Sequence, residues 1–259
     1  MTGTTKYQRG GFGPRRFGEH KVHDKLKLNV STDLRGGDIL IAKEWTPHNK
    51  ESFVIPAAQM LLSHHGGASG ASEHVLLVLD DGKAQVAEAV GGGVSIDVGI
   101  NMRDHVIYSC LDEVLCWEAV HVAERLGGVT VGNLNRVAYA AGNSPVQYRK
   151  SIGMTSVLFR SKNKGSKARA RIKRIYDYVY DNEPLGGIRM VCSEFVVACY
   201  EVAAEKLGVS VFEVDPQAIS AKALEGLLMN RAGSFKLAGR YIGSRPYREG
   251  QQVAISGPS

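Results

Sequence analysis

The chain has 259 residues, of which 44% are hydrophobic, and its formal net charge at pH 7 is +6. This length and apolar content can bury a full core, which excludes a chain that is disordered throughout. Nowhere do about 18 apolar residues follow one another, and no apolar segment follows the first charges, so neither a transmembrane helix nor a Sec signal peptide is predicted. We therefore expect a cytoplasmic protein, or one exported without a Sec signal peptide.

The predicted elements form one domain between two loose ends. Residues 1–28 are basic and rich in glycine, and residues 244–259 are polar, so both segments are predicted to be flexible. Strands are predicted at 72–83 with an Asp81-Gly82 turn, 84–89, 94–98, 105–109 and 234–241, and helices at 111–126, 168–180, 192–207 and 216–230. This order predicts an α+β domain over residues 29–243, with helices packed on a small antiparallel sheet.

The first predicted hairpin carries a histidine and a carboxylate. With Asp81-Gly82 as the central turn residues, His74 lies opposite Ala89 and diagonally beside Glu88, and a shift of one residue places Glu88 directly opposite His74. Either register gives a base with an orienting carboxylate nearby, as nucleophilic catalysis requires. The alternative is an ordinary histidine at a strand end and a solvated glutamate.

A cysteine begins the helix predicted at 192–207. Cys192 follows the glycine-rich loop 185–188, apolar residues continue from it at helical spacing, and Gly208 provides the stop. The first turn of a helix favours thiolate over thiol, and the thiolate is the attacking species, so Cys192 is a candidate nucleophile. Its own backbone N–H is predicted to donate to an oxyanion. The alternative is a structural cysteine on a buried helix face.

Four short segments occur in the order that one enzyme family shows. They are Leu-Arg-Gly-Gly-Asp-Ile-Leu-Ile at 34–41, Glu-His-Val at 73–75, Ala-Glu-Ala at 87–89 with the following Gly93-Val94, and Val-Cys-Ser-Glu-Phe-Val at 191–196. In these segments the chain resembles the circularly permuted branch of the NlpC-type, papain-like cysteine hydrolases, represented by YiiX-like proteins. In that branch the histidine strand precedes the cysteine helix. The resemblance implies a permuted papain-like fold.

The resemblance also implies roles for individual residues. It makes Cys192 the nucleophile, His74 the general base and Glu88 the group that orients the base, although Asp97 or Glu73 could take the place of Glu88. The family usually has a small residue directly before the histidine and a glycine soon after it. Here Glu73 precedes His74 and two leucines follow Val75, so the shape of the groove and the substrate stay open.

The activity implied is that of a bacterial thiol peptidase or amidase, which cleaves an amide or isopeptide bond through an acyl-enzyme. Its substrates would be peptidoglycan stem peptides or small acylated amines. One alternative is a lipid acyl hydrolase or acyltransferase of the lecithin:retinol acyltransferase-like type, with an apolar groove lined by Leu76 and residues 53–55. Another is a binding module without catalysis, or a secreted effector whose basic N-terminal arm engages a partner. If the protein is a toxin, an inhibitor protein that covers Cys192 is expected.

Other motifs have structural interpretations. The four cysteines lack zinc-ligand spacing, and we expect them to be reduced, with no metal and no cofactor. His64-His65 before two glycines is typical of a helix end. The basic run at 160–174 is either solvated or attracts an anionic partner such as a cell-wall polymer. Nothing in the chain is typical of nucleic-acid binding.

Overall fold

The computed structural model describes residues 34–44, 71–80, 85–90, 93–98, 104–128, 145–148, 164–230 and 233–241. These residues form an α+β structure with a six-stranded antiparallel sheet, a two-stranded parallel sheet and four α-helices. The strands are β1 Ile39–Glu44, β2 Ala71–Val78, β3 Gln85–Val90, β4 Gly93–Val98, β5 Asp104–Cys110, β6 Gln147–Tyr148, β7 Arg189–Met190 and β8 Phe235–Tyr241. The helices are α1 Glu113–Leu126, α2 Ser166–Asp181, α3 Cys192–Leu207 and α4 Ala221–Asn230.

The large sheet has the strand order β4-β3-β2-β1-β5-β8, and each neighbouring pair is antiparallel. Side chains alternate between its two faces, as the strand period of two requires. Ile39 and Val75 belong to the face that packs against the helices, while Leu40 and Leu76 belong to a smaller apolar cluster. The sheet therefore separates two cores, and all four helices contribute to the larger one.

Helix α3 lies at the centre of the larger core. Twelve of its 16 residues are buried, including Phe195, Cys199 and Tyr200. A helix that is apolar on nearly all sides is stable only where other elements surround it. Helices α1 and α2 and strands β2 and β3 all contact it. The position of the first turn of α3 is thus set by packing along the rest of the helix.

The glycine pair before β1 makes a close approach that a larger residue would block. Gly37 has a φ of +88°, and a Cβ on it would lie 2.6 Å from the Cβ of Cys116 on α1. The hydroxyl of Tyr200 on α3 donates to the carbonyl oxygen of Gly37. This turn therefore fixes the start of β1 between two helices, which gives a structural reason for the Gly-Gly-Asp motif.

Most of the predicted elements within the described residues are confirmed, with ends that differ by at most two residues, except that the strand predicted at 72–83 ends at Val78. The predicted helix over 216–230 is wrong, because it is two elements: a 3-10 helix at Pro216–Ala218 and the helix α4. Asp215 accepts from the N–H of Gln217 at 3.0 Å, and the hydroxyl of Ser220 accepts from the N–H of Ala223 at 3.1 Å. Each side chain caps its own element, so the chain restarts between them.

The predicted flexible ends, residues 1–28 and 244–259, lie outside the described residues. The same holds for His64-His65 and for residues 53–55. In the part of the chain that the structure describes, no helix has the length and apolar character needed to cross a membrane.

Candidate active site

The ladder between β2 and β3 is short, and this interruption creates the candidate site. Within the described residues, β2 pairs with β3 at Leu77 opposite Ala87 and at Val78 opposite Val86, while β3 pairs with β4 along its whole length. The predicted register, with His74 opposite Ala89, is wrong by one residue. The N–H of Leu79 donates to the carbonyl of Gln85 at 2.8 Å, which continues this register by one more pair, and the predicted Asp81-Gly82 turn lies outside the described residues.

One backbone N–H group of β2 points into the space between β2 and β3 beyond their last pair, which we call the gap. The N–H of Val78 donates to Asp38 on the β1 side at 2.9 Å, whereas the N–H of Leu79 points to the β3 side. Because N–H groups alternate sides along a strand, the N–H of Val75 also faces the β3 side, beyond the last β2–β3 pair. There it donates to the sulfur of Cys192. The thiol thus takes a place that a carbonyl oxygen of a longer ladder would occupy.

The first turn of α3 presents Cys192 to this gap. Val191 is the N-cap residue and has no side-chain oxygen, so its side chain caps none of the first N–H groups of the helix. The N–H of Ser193 donates to the sulfur of Cys192, and the hydroxyl of Ser193 donates to the carbonyl of Ile219 at 2.7 Å. The positive end of the helix therefore surrounds the sulfur, and Ser193 ties this turn to the chain before α4.

The structure brings the three predicted site residues together. The Nε2 of His74 is hydrogen-bonded to Oε2 of Glu88, and the imidazole also hydrogen-bonds the Cys192 thiol. The side chains of His74 and Glu88 are 20% and 16% exposed, and Cys192 is half-buried. Glu88 reaches His74 across the gap between β2 and β3 even though the two residues are not paired in the ladder.

Charge favours a thiolate beside an imidazolium. Burial alone would lower the pKa of His74, but the thiolate of Cys192 and the carboxylate of Glu88 together raise that pKa to about 10. Burial would likewise raise the pKa of Cys192. The charge and hydrogen bond of His74, together with the N–H groups of Val75 and Ser193, lower it instead. The ion pair is therefore expected to persist across neutral pH.

This arrangement contains the parts of a nucleophilic site. A thiolate is the attacking species, an imidazole beside it can carry the proton, and a carboxylate orients the ring. The backbone N–H of Cys192 lies in the first turn of α3, where N–H groups have no acceptor within the helix. An oxyanion that forms next to the sulfur could accept from it.

The other candidates lie elsewhere or outside the described part of the chain. The side chains of Glu73 and Asp97 are outside it, although their backbones belong to β2 and β4. Leu76 is 2% exposed and belongs to the smaller core, so it lines no open groove. All four cysteines are free. Among the described residues, no group of three or more His, Cys, Asp or Glu side chains could hold a metal ion.

Several basic residues in the described part of the run at 160–174, which begins at Lys164, bind groups of this same chain, whereas residues 160–163 lie outside the described residues. Lys164 lies 2.7 Å from a carboxylate oxygen of Glu201, and Lys173 lies 2.8 Å from Asp177. Arg174 donates to the carbonyls of residues 185 and 186 at 2.9 and 2.7 Å. Most of the basic side chains are nevertheless exposed, as the interpretation of a solvated helix face predicts: Lys167, Arg169, Lys173 and Arg174. The contacts add a structural role that the sequence did not predict.

The sequence interpretation missed Arg171, whose guanidinium lies 2.6 Å from the carboxylate of Glu194. Both residues were visible in the sequence, one within the basic run and one in the first turn after Cys192. The available signal was a carboxylate directly before the apolar residues Phe195 to Ala198 of a buried helix, where a charge needs a cation nearby.

No protein-family model, no curated protein and no solved structure matches this chain.

Proposed function

We propose that the protein is a thiol hydrolase of the peptidase or amidase type with a permuted papain-like fold. The observation that carries the proposal is the position of the His74 imidazole between the thiol of Cys192 and the carboxylate of Glu88. The start of a buried helix supports the thiolate, and an antiparallel sheet supplies the other two groups. In this proposal Cys192 is the nucleophile, His74 the general acid and base, and Glu88 the orienting group.

The chemistry follows from these roles. The sulfur of Cys192 attacks the carbonyl carbon of an amide, and the backbone N–H of Cys192 donates to the oxyanion that forms. The His74 imidazolium gives its proton to the leaving nitrogen, the carbon–nitrogen bond breaks, and an acyl-enzyme thioester remains. A water molecule then gives a proton to His74 and attacks the thioester carbonyl, which releases the acid and restores the thiolate and the imidazolium.

Amide and isopeptide bonds are the proposed targets, and peptidoglycan stem peptides form the first set of substrates to test. These substrates come from the family resemblance in the sequence. An imidazolium that can protonate a poor leaving group supports amide over ester cleavage, because an amine leaves only after it gains a proton. A lipid ester and an acylated amine should be assayed beside the peptides.

Before any substrate is tried, the pH dependence of Cys192 alkylation by iodoacetamide tests the site. Peptide mass spectrometry reads each cysteine separately, in the wild type and in His74→Ala. Because His74 lowers the pKa of Cys192, the wild type should label at pH 6 about tenfold faster than the variant or more, and the variant should recover reactivity only at alkaline pH.

A matched control is available in the same protein. His121 on α1 lies 3.8 Å from Glu118 and forms a second histidine–glutamate pair with no cysteine in it. His121→Ala should leave the labelling profile of Cys192 unchanged. An ordinary thiol profile in both the wild type and His74→Ala would contradict the proposal and make Cys192 a structural residue.

A further inference from the structure

One nitrogen atom of Arg171 contacts a residue before Cys192 in the chain and a residue after it. Nη2 donates to the carbonyl oxygen of Arg189 at 2.6 Å, and the same atom lies 2.6 Å from Oε1 of Glu194. Arg189 belongs to β7, which leads into α3, and Glu194 lies in the first turn of α3. Cys192 lies between these two residues in the chain. We call these contacts of Arg171 with Arg189 and Glu194 the Arg171 bridge.

The bridge fixes a short segment whose geometry decides where the sulfur points. The chain changes from extended at Val191, with φ −94° and ψ 167°, to helical at Cys192. A guanidinium that holds the backbone before this bend and a side chain after it restrains the bend from α2, a separate helix. A second link holds the strand side, since Nε of Arg189 donates to Oε1 of Gln147 on β6 at 3.0 Å.

Charge gives the bridge a second consequence. The side chain of Glu194 is fully buried, and that of Arg171 is 15% exposed. A buried carboxylate in the same helical turn as a thiolate would repel it, and a buried anion without a partner is strongly unfavourable. Arg171 supplies a positive charge directly against that carboxylate. The two charges together leave little net charge in the first turn of α3, the turn that begins at Cys192.

We propose that Arg171 is a positioning residue of the candidate active site, which holds the bend at Cys192 and neutralises Glu194 so that the thiolate is not repelled. This inference rests on the proposed function only in that both concern the reactivity of Cys192. A purely structural bridge would affect stability when broken but would leave the ionisation of Cys192 unchanged. The two roles therefore separate in a pH profile.

A double-mutant cycle tests the inference by removing the charges of Arg171 and Glu194 one at a time and together. The pH midpoint of Cys192 alkylation is measured by peptide mass spectrometry, and thermal unfolding is followed on the same samples. Removal of the cation in Arg171→Met should raise the midpoint by about one pH unit. Removal of the anion in Glu194→Gln should lower the midpoint, because the turn that begins at Cys192 then loses one negative charge. The double variant should return toward the wild-type midpoint, and the difference that remains measures the loss of the restraint on the bend.

Two further variants complete the design. Arg171→Lys keeps the charge, and because a single nitrogen makes both contacts, an ammonium can replace it and should restore most of the wild-type profile. Lys173→Met removes a cation from the same helix at a side chain that is 75% exposed and paired with Asp177, and it should shift nothing. If Arg171→Met fails to fold, Arg171→Lys and Glu194→Gln still carry the test.

The outcomes for the two proposals are distinguishable. Midpoints that stay at the wild-type value in Arg171→Met and Glu194→Gln, even with lower unfolding temperatures, would overturn the inference and leave a structural ion pair. An ordinary wild-type midpoint that still moves in opposite directions in the two variants would keep the inference. It would contradict the thiol hydrolase instead.

Discussion

Helix α3 carries two cysteines, Cys192 and Cys199, whose pKa values are shifted in opposite directions. Cys192 is the first residue of the helix and Cys199 lies two turns later. Burial raises the pKa of Cys199 well above its ordinary value, whereas His74 and two backbone N–H groups lower the pKa of Cys192 against the same effect of burial. In the helix interior every N–H already has an acceptor. The comparison shows that position in the helix, and the partners found there, decide what a thiol can do.

The largest expected effect is the difference in labelling between the two cysteines in the folded protein. At pH 7 iodoacetamide should alkylate Cys192 about a hundredfold faster than Cys199 or more, since Cys199 is fully buried and is reached only when the structure opens. In strong denaturant the two rates should become equal. Peptide mass spectrometry at short times measures both. Comparable alkylation rates in the folded protein would contradict the claim that position in the helix makes Cys192 more reactive than Cys199.

A smaller effect is expected from Glu88→Gln, which removes a charge that supports the imidazolium of His74. The pKa of His74 should fall, the thiolate should lose part of its partner's charge, and Cys192 should label about tenfold more slowly at pH 6. Glu205→Gln, at an exposed position near the end of α3, is the matched control. An unchanged profile in Glu88→Gln would mean that the carboxylate does not support the histidine.

The smallest expected effect is on stability, and it compares the two cysteines by removing the sulfur of each in turn. Cys199→Ala removes a fully buried sulfur from the core and should cost about 1–2 kcal/mol in the free energy of unfolding. Cys192→Ala, at the half-buried first turn, should cost less than about 1 kcal/mol. Urea unfolding of both variants gives the two values. A larger loss for Cys192→Ala would indicate a structural role for that residue.

Local patterns in the sequence predicted the parts of the site well. The start of α3 at Cys192 and the strand that carries His74 follow from apolar spacing and from the glycines at their ends. The register between β2 and β3 did not follow, because Asp81-Gly82 indicates a two-residue turn, whereas the observed pairs, Leu77 with Ala87 and Val78 with Val86, lie one residue away from the register that such a turn gives. A one-residue difference in loop length changes every cross-strand pair.

The contacts that join distant segments could not be predicted. The Arg171 bridge joins α2 to the junction of β7 and α3, and nothing in the spacing of a basic run shows which of its members will turn inward. The N–H of Val75 reaches the sulfur only because β3 stops pairing with β2 at Leu77. Such contacts depend on how whole elements pack against one another. A sequence pattern therefore shows which residues are present but not which of them come into contact.

The interrupted ladder also has a consequence during synthesis of the protein. A ribosome makes β2, with His74, long before it makes α3, with Cys192. Until the two meet, the thiol has an ordinary pKa and stays mostly protonated at neutral pH. The nascent chain therefore carries an unreactive cysteine, which becomes reactive only when α3 has docked against β2. Alkylation of Cys192 would thus report the docking of these two elements as directly as it reports the chemistry of the site.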